Sequence, residues 1–113
     1  MREIGKLLAY AKSDAIDGIW PERGVRMLIE ELANPELERA VVLEVFNKRG
    51  VHSRSIDGGG DQERELAAIA ATGADALEVQ WPRTAGMLRE NAEQWRHHAD
   101  WEDKQAEKDR LRP

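Results

Sequence analysis

The sequence predicts an all-α protein: a small N-terminal cluster of three helices plus a long antiparallel C-terminal helical hairpin. Three observations predict it. Apolar residues recur at 3/4 spacing along most of the chain. Proline follows Asn34 and Trp81 at the two clearest segment starts, where the missing N–H costs nothing. Charged residues make up 35% of 113 residues, well above the usual quarter, as long solvated helices require. The chain reads as one domain, with the cluster over 1–50, a glycine-rich loop over 51–60, and the hairpin with an extended C-terminal arm over 61–113.

The first helix is expected from Arg2 to about Asp14, with Ile4, Leu7, Leu8, Ala11 and Ala15 on one face. Gly18 is its expected stop. A second helix opens at Pro21, with Glu22 beside the positive end of the dipole. Its stripe is Val25, Leu28, Ile29 and Leu32.

The third helix carries the strongest local signals. Asn34 can cap, Pro35 fits the first helical position, and Glu36 and Glu38 stand in the first turn. Lys48, Arg49 and Gly50 close the other end. Leu37, Ala40, Val41, Val42, Leu43, Val45 and Phe46 cover nearly the whole circumference. A helix apolar all round is usually buried, so this one is expected at the centre. The β-branched run AVVLEVF also fits a buried strand, and the caps at both ends favour helix. The helix–Asn34-Pro35–helix step resembles one unit of a helical-repeat protein, and one unit implies no function.

Asp61 is the expected N-cap of a fourth helix running to about Gln80. Its seam is expected at Leu66, Ile69, Gly73, Ala76 and Gln80. Trp81-Pro82 breaks the chain and opens a fifth helix, with Ala85, Leu88, Ala92, Trp95, Ala99, Glu102 and Ala106 in the same alternation. Two such helices with so short a connection read as an antiparallel hairpin. The end of the second arm is nearly all polar.

The functional classes are narrowed by composition. Without cysteine there is no disulfide, thiolate zinc ligand or Cys nucleophile. The start MREIGKLLAYAKSD has no apolar secretion core, and no apolar run is long enough to cross a bilayer. A cytoplasmic location without membrane contact is therefore expected. The net charge is −5, −1 over residues 1–60 and −4 over 61–113, so phosphate backbones are repelled at long range.

Lys48, Arg49, His52 and Arg54 precede Gly58, Gly59 and Gly60 before a helix start. Glycines at a helix N-terminus beside cations can hold phosphate or carboxylate. Asp57 and Asp61 stand where the anion would go, and neither the P-loop nor the dinucleotide fingerprint is matched. A joint between the two halves accounts for the same residues. A DNA-reading second and third helix would present Glu36 and Glu38 to the bases.

His98 with Glu102, and Glu93 with His97, are one helical turn apart, a spacing that can supply half of a metal site. Neither has a third ligand nearby in sequence, and ion pairs on a solvated face explain the same spacing. No cofactor is implied.

Trp20 and Trp81 stand before prolines as structural staples, and Trp95 lies on the seam. Trp101 lies off it, between Asp100 and Glu102. Ile69, Leu77, Val79, Met87 and Trp101 do not all fit one seam, so some of that surface is expected to meet the N-terminal cluster or another chain. The expected function is a non-enzymatic interaction or regulatory subunit whose hairpin associates with itself or with a protein partner. Nucleic-acid binding through residues 48–54, and anionic-ligand sensing at Gly58–Gly60, are the alternatives.

Overall fold

A computed structural model describes residues 2–50 and 60–111, without the side chains of residues 2, 49 and 50. Five helices account for the fold: α1 (Arg2–Ala9), α2 (Arg23–Leu32), α3 (Pro35–Gly50), α4 (Asp61–Leu77) and α5 (Pro82–Leu111). No strand occurs among the described residues. α4 and α5 pair as the hairpin, α1 lies on α3, and α3 and α2 both pack on α5.

α1 stops at Ala9, well short of Asp14, because Asp14 is engaged elsewhere. Its carboxylate, nearly buried, accepts from the backbone N–H of Ile16 (3.1 Å), Asp17 (3.3 Å) and Arg23 (3.1 Å). Such side-chain bonds offer the backbone an alternative to helix. Gly18 turns the chain at φ 72°, a conformation that costs glycine little. The Trp20–Pro21 peptide is cis. Pro21 precedes α2 rather than opening it, and Glu22 takes the N-cap position.

α2 keeps Val25 and Ile29 of its expected stripe on the core but is rotated so that Arg26 joins them. Arg26 and Ile29 are buried, while Leu28 and Leu32 are partly exposed. An arginine at the centre of a small protein needs its charge and all of its donors answered. Arg26 is 0% exposed, and its guanidinium bonds Pro21 O (2.6 Å), Ile19 O (2.7 Å) and both Asp17 carboxylate oxygens (2.8 Å each).

α3 follows its sequence signals. Asn34 Oδ1 accepts from the N–H groups of Glu36 (2.9 Å) and Leu37 (3.2 Å). Leu37, Val41, Val42 and Val45 are buried, and Leu43 alone of its large apolar residues faces outward. α1 lies so close that a Cβ on Gly5 would come 2.6 Å from Ala40 Cβ.

α5 buries two stripes. Ala85, Leu88, Ala92, Trp95 and Ala99 form the expected seam, while Thr84, Met87 and Asn91 are buried beside them. Asn91 Nδ2 donates to Val42 O of α3 at 3.1 Å. The start of α5 is capped from a distance: Glu30 of α2 accepts from Arg83 N (3.1 Å), Thr84 N (2.8 Å) and Thr84 Oγ1 (3.0 Å).

The α4 seam differs from expectation by one helical position. Glu63, Ala67, Ala70, Ala74 and Leu77 are buried together with Gly73 of the expected seam, whereas Ile69, Ala76 and Gln80 are exposed. α4 also ends at Leu77 rather than near Gln80. Its start explains the register. Gly60, not Asp61, occupies the N-cap position. A Cβ there would lie 2.5 Å from the Ala99 backbone, so only glycine allows this approach. Gly60 N donates to Asp103 Oδ1 at 2.9 Å, and Arg64 bonds the same carboxylate and reaches Asp100 at 3.5 Å. Beyond Asp103, α5 runs past the start of α4 as an extended arm.

Candidate functional site

Of the residues singled out in the sequence for an anion site, Lys48 and Gly60 are among the described ones. Lys48 lies at the C-terminal end of α1, donating to Ala9 O (2.8 Å) and standing 4.5 Å from the Tyr10 ring centroid. It thus serves the carbonyl end of a helix, where cations are favoured. Gly60 is packed on Ala99. His52, Arg54, Gly58 and Gly59, and the Arg49 side chain, lie outside the described residues. Arg83, another cation suited to phosphate, donates to Glu38 at 2.7 Å.

Leu77 and Met87 are buried within the chain itself, Leu77 beside Ala74, Ala85 and Leu88, and Met87 in the main core. The N-terminal cluster and the hairpin therefore absorb them. Trp101 remains 51% exposed.

Two arrangements stand out. The first is an open cleft of about 590 Å³ between α4 and the segment leading from α1 to α2. Ile69, Thr72 and Ala76 line one wall, Ile19 and Trp20 another, and Trp95 contributes to the floor. Ile69 is 63% exposed here. Gly73 lies at the bottom, 3.3 Å by its projected Cβ from Ile19 Cγ2 and 3.4 Å from Leu88 Cδ1. The Trp95 indole N–H has no hydrogen-bond partner among the described residues, although it is buried. Such an orphan typically costs about 1–3 kcal/mol.

The second joins the two hairpin helices. His98 and Glu102 of α5 meet Glu63 from the first turn of α4, with one donor atom from each lying within 4.8 Å of the others. His98 Nδ1 is 3.7 Å from Glu63 Oε1, and Nε2 is 3.8 Å from Glu102 Oε1. Phe46 meets the imidazole edge-on at 5.7 Å, and Trp101 lies tilted at 5.8 Å. The Glu63 side chain is only 6% exposed. The third partner that the His98–Glu102 pair lacked in sequence thus comes from a helix whose register places position 63 inward. Glu93 and His97 are exposed.

Electrostatics elsewhere are structural. The Arg26 guanidinium, helped by the Ile19 N–H, holds the Asp17 carboxyl well below the usual carboxylate range, and Asp17 in turn raises Arg26. For Asp14, burial works upward but is outweighed by the N–H groups of Arg23, Asp17 and Ile16, leaving it below its ordinary value. Arg64, then Gly60 N–H, lower Asp103. With geometry placing a cleft and a three-residue cluster on the hairpin, comparison with known proteins adds no assignment: no protein family, curated protein or solved structure matches the chain.

Proposed function

We propose that this protein is a non-enzymatic interaction or regulatory subunit whose hairpin associates with a second copy of the chain or with another protein. The observation that carries this reading is the second apolar stripe of α4. Leu66, Ile69, Gly73, Ala76 and Gln80 keep the 3/4 alternation of a helix-packing seam; Gly73 is buried and Leu66 packs on the core, while Ile69, Ala76 and Gln80 stay exposed. Ile69 and Ala76 of that stripe border the open cleft. Its small residues permit close backbone approach, and apolar surface of this kind marks association sites. A second copy is the simplest source of a matching helix. Trp101 adds an exposed aromatic of the type that anchors interfaces, farther along the same hairpin.

Size-exclusion chromatography with light scattering tests the reading. At high micromolar concentration the 12.8 kDa chain is expected to elute with a mass above the monomer. Ile69→Asp, an exposed position, is expected to return it to monomer without loss of helicity. A strict monomer at that concentration removes self-association, and an oligomer indifferent to Ile69→Asp removes the α4 stripe as its seat.

A further inference from the structure

We propose that Glu63, His98 and Glu102 bind one divalent first-row transition-metal ion of the Zn²⁺ class, clasping the start of α4 to α5. The argument begins with Glu63. A carboxylate taken out of water needs a cation or several donors to replace its hydration. Among the described residues only His98 approaches it, at 3.7 Å, beyond hydrogen-bonding distance. The adjacent arginine, Arg64, is turned toward Asp61, Asp100 and Asp103. A largely buried acid whose oxygens keep only a narrow opening to solvent, beside a histidine and a second acid, offers an ion a ready pocket.

The chemistry of the donors agrees. Two carboxylates and a neutral imidazole carry two negative charges, which a divalent ion neutralises. Imidazole nitrogen favours Zn²⁺ and its first-row neighbours over Ca²⁺ and Mg²⁺, which prefer oxygen alone. Bonds of about 2.0–2.2 Å place tetrahedral ligands roughly 3.4 Å apart. One donor atom from each residue already lies within 4.8 Å of the others, but Glu63 is nearest Nδ1 and Glu102 nearest Nε2, so one carboxylate must swing to the other nitrogen's side of the ring to close on a single ion. The half-buried His98 ring is held between Phe46 and Trp101, which orients it and excludes water from one side. Three protein ligands leave a fourth position for water or for a partner's side chain. The site uses none of the α4 stripe residues, and it lies at the opposite end of the hairpin from Ala76 and Gln80.

The test uses the full chain without an affinity tag, stripped with a chelator, and titrated with Zn²⁺ and separately with Co²⁺. Zn²⁺ is expected to bind one ion per chain and to raise the melting temperature by about 5 °C or more at saturation. Co²⁺ is expected to give a visible absorption band that Zn²⁺ displaces. Glu63→Gln, His98→Gln and Glu102→Gln are each expected to weaken binding by roughly tenfold or more, while exposed His97→Gln leaves it unchanged. His98 and Glu102 are partly exposed, so their variants keep the test decisive if the Glu63 variant unfolds. Absence of Zn²⁺ binding tighter than about 100 μM overturns the proposal, as does binding that survives all three ligand variants. An equal stabilisation by Ca²⁺ overturns the transition-metal assignment.

Discussion

Arg26 and Glu63 are both charged, both buried, and treated in opposite ways. Arg26 is enclosed by Pro21 O, Ile19 O and a bidentate Asp17, all within 2.8 Å. Glu63 faces a single histidine at 3.7 Å. The N-terminal charge is met by direct hydrogen bonds, and among the described residues the hairpin charge is met by none. Networks that are fully satisfied rigidify a fold, whereas an unsatisfied buried group in a folded protein calls for a further partner. The comparison thus separates a charge that builds structure from one that the proposed metal site would use.

The largest effect should come from breaking the complete network. Arg26→Ala strands two carbonyls and Asp17, and is expected to cost about 3–5 kcal/mol in urea unfolding, a large share of a small domain's stability. Glu63→Gln in metal-free protein is expected to stay within about 1 kcal/mol of the parent, because it removes a charge that was poorly answered. Equal losses from both substitutions would erase the distinction between the two regions.

A smaller effect concerns how the hairpin holds Glu63 inward. Gly60→Ala drives a methyl into the Ala99 backbone and should cost about 1–3 kcal/mol, read in the same unfolding experiment. Gly86→Ala serves as its counterpart: it is exposed within α5, its Cβ meets nothing within 4 Å, and it should stabilise by about 0.5–1 kcal/mol. A gain at both positions would mean that the α4 start is not clamped.

The mildest effect at neutral pH is the acid response. Asp14, Asp17 and Asp103 all ionise more readily in the folded chain than in ordinary surroundings. Below about pH 4 the unfolded chain takes up protons that these groups refuse in the fold. Their contribution is therefore full above that pH and lost as the pH falls toward their folded values. Thermal melts are expected to be flat with respect to these groups from pH 5 to 7 and to fall below pH 4. Arg26→Ala, which releases Asp17, should shallow that fall.

Much of this architecture could be read from the chain. The Asn34-Pro35 opening and the Trp81-Pro82 break act through local backbone chemistry, and both stand where helices start. The α5 seam was legible because its large residues, Leu88 and Trp95, mark one stripe unambiguously. α4 offered two stripes one position apart, both rich in alanine, so hydrophobicity barely distinguishes them. The choice is made by Gly60 against Ala99, a contact between positions far apart in sequence. Arg26 was hidden for a similar reason: helical spacing reads it as a surface cation, and its partner Asp17 lies across a turn shaped by Asp14. The His98–Glu102 half of the cluster follows from one helical turn. Glu63 enters only once the register of α4 is known.

The reach of Glu30 across to α5 has a consequence for motion. An ordinary helix start is tied down by a neighbour in sequence and frays on its own schedule. Here the first amides of α5 are held by an acid from α2, so Arg83 and Thr84 are released when the two helices part. Solvent exchange at those two amides therefore serves as a gauge of the opening between the N-terminal cluster and the hairpin.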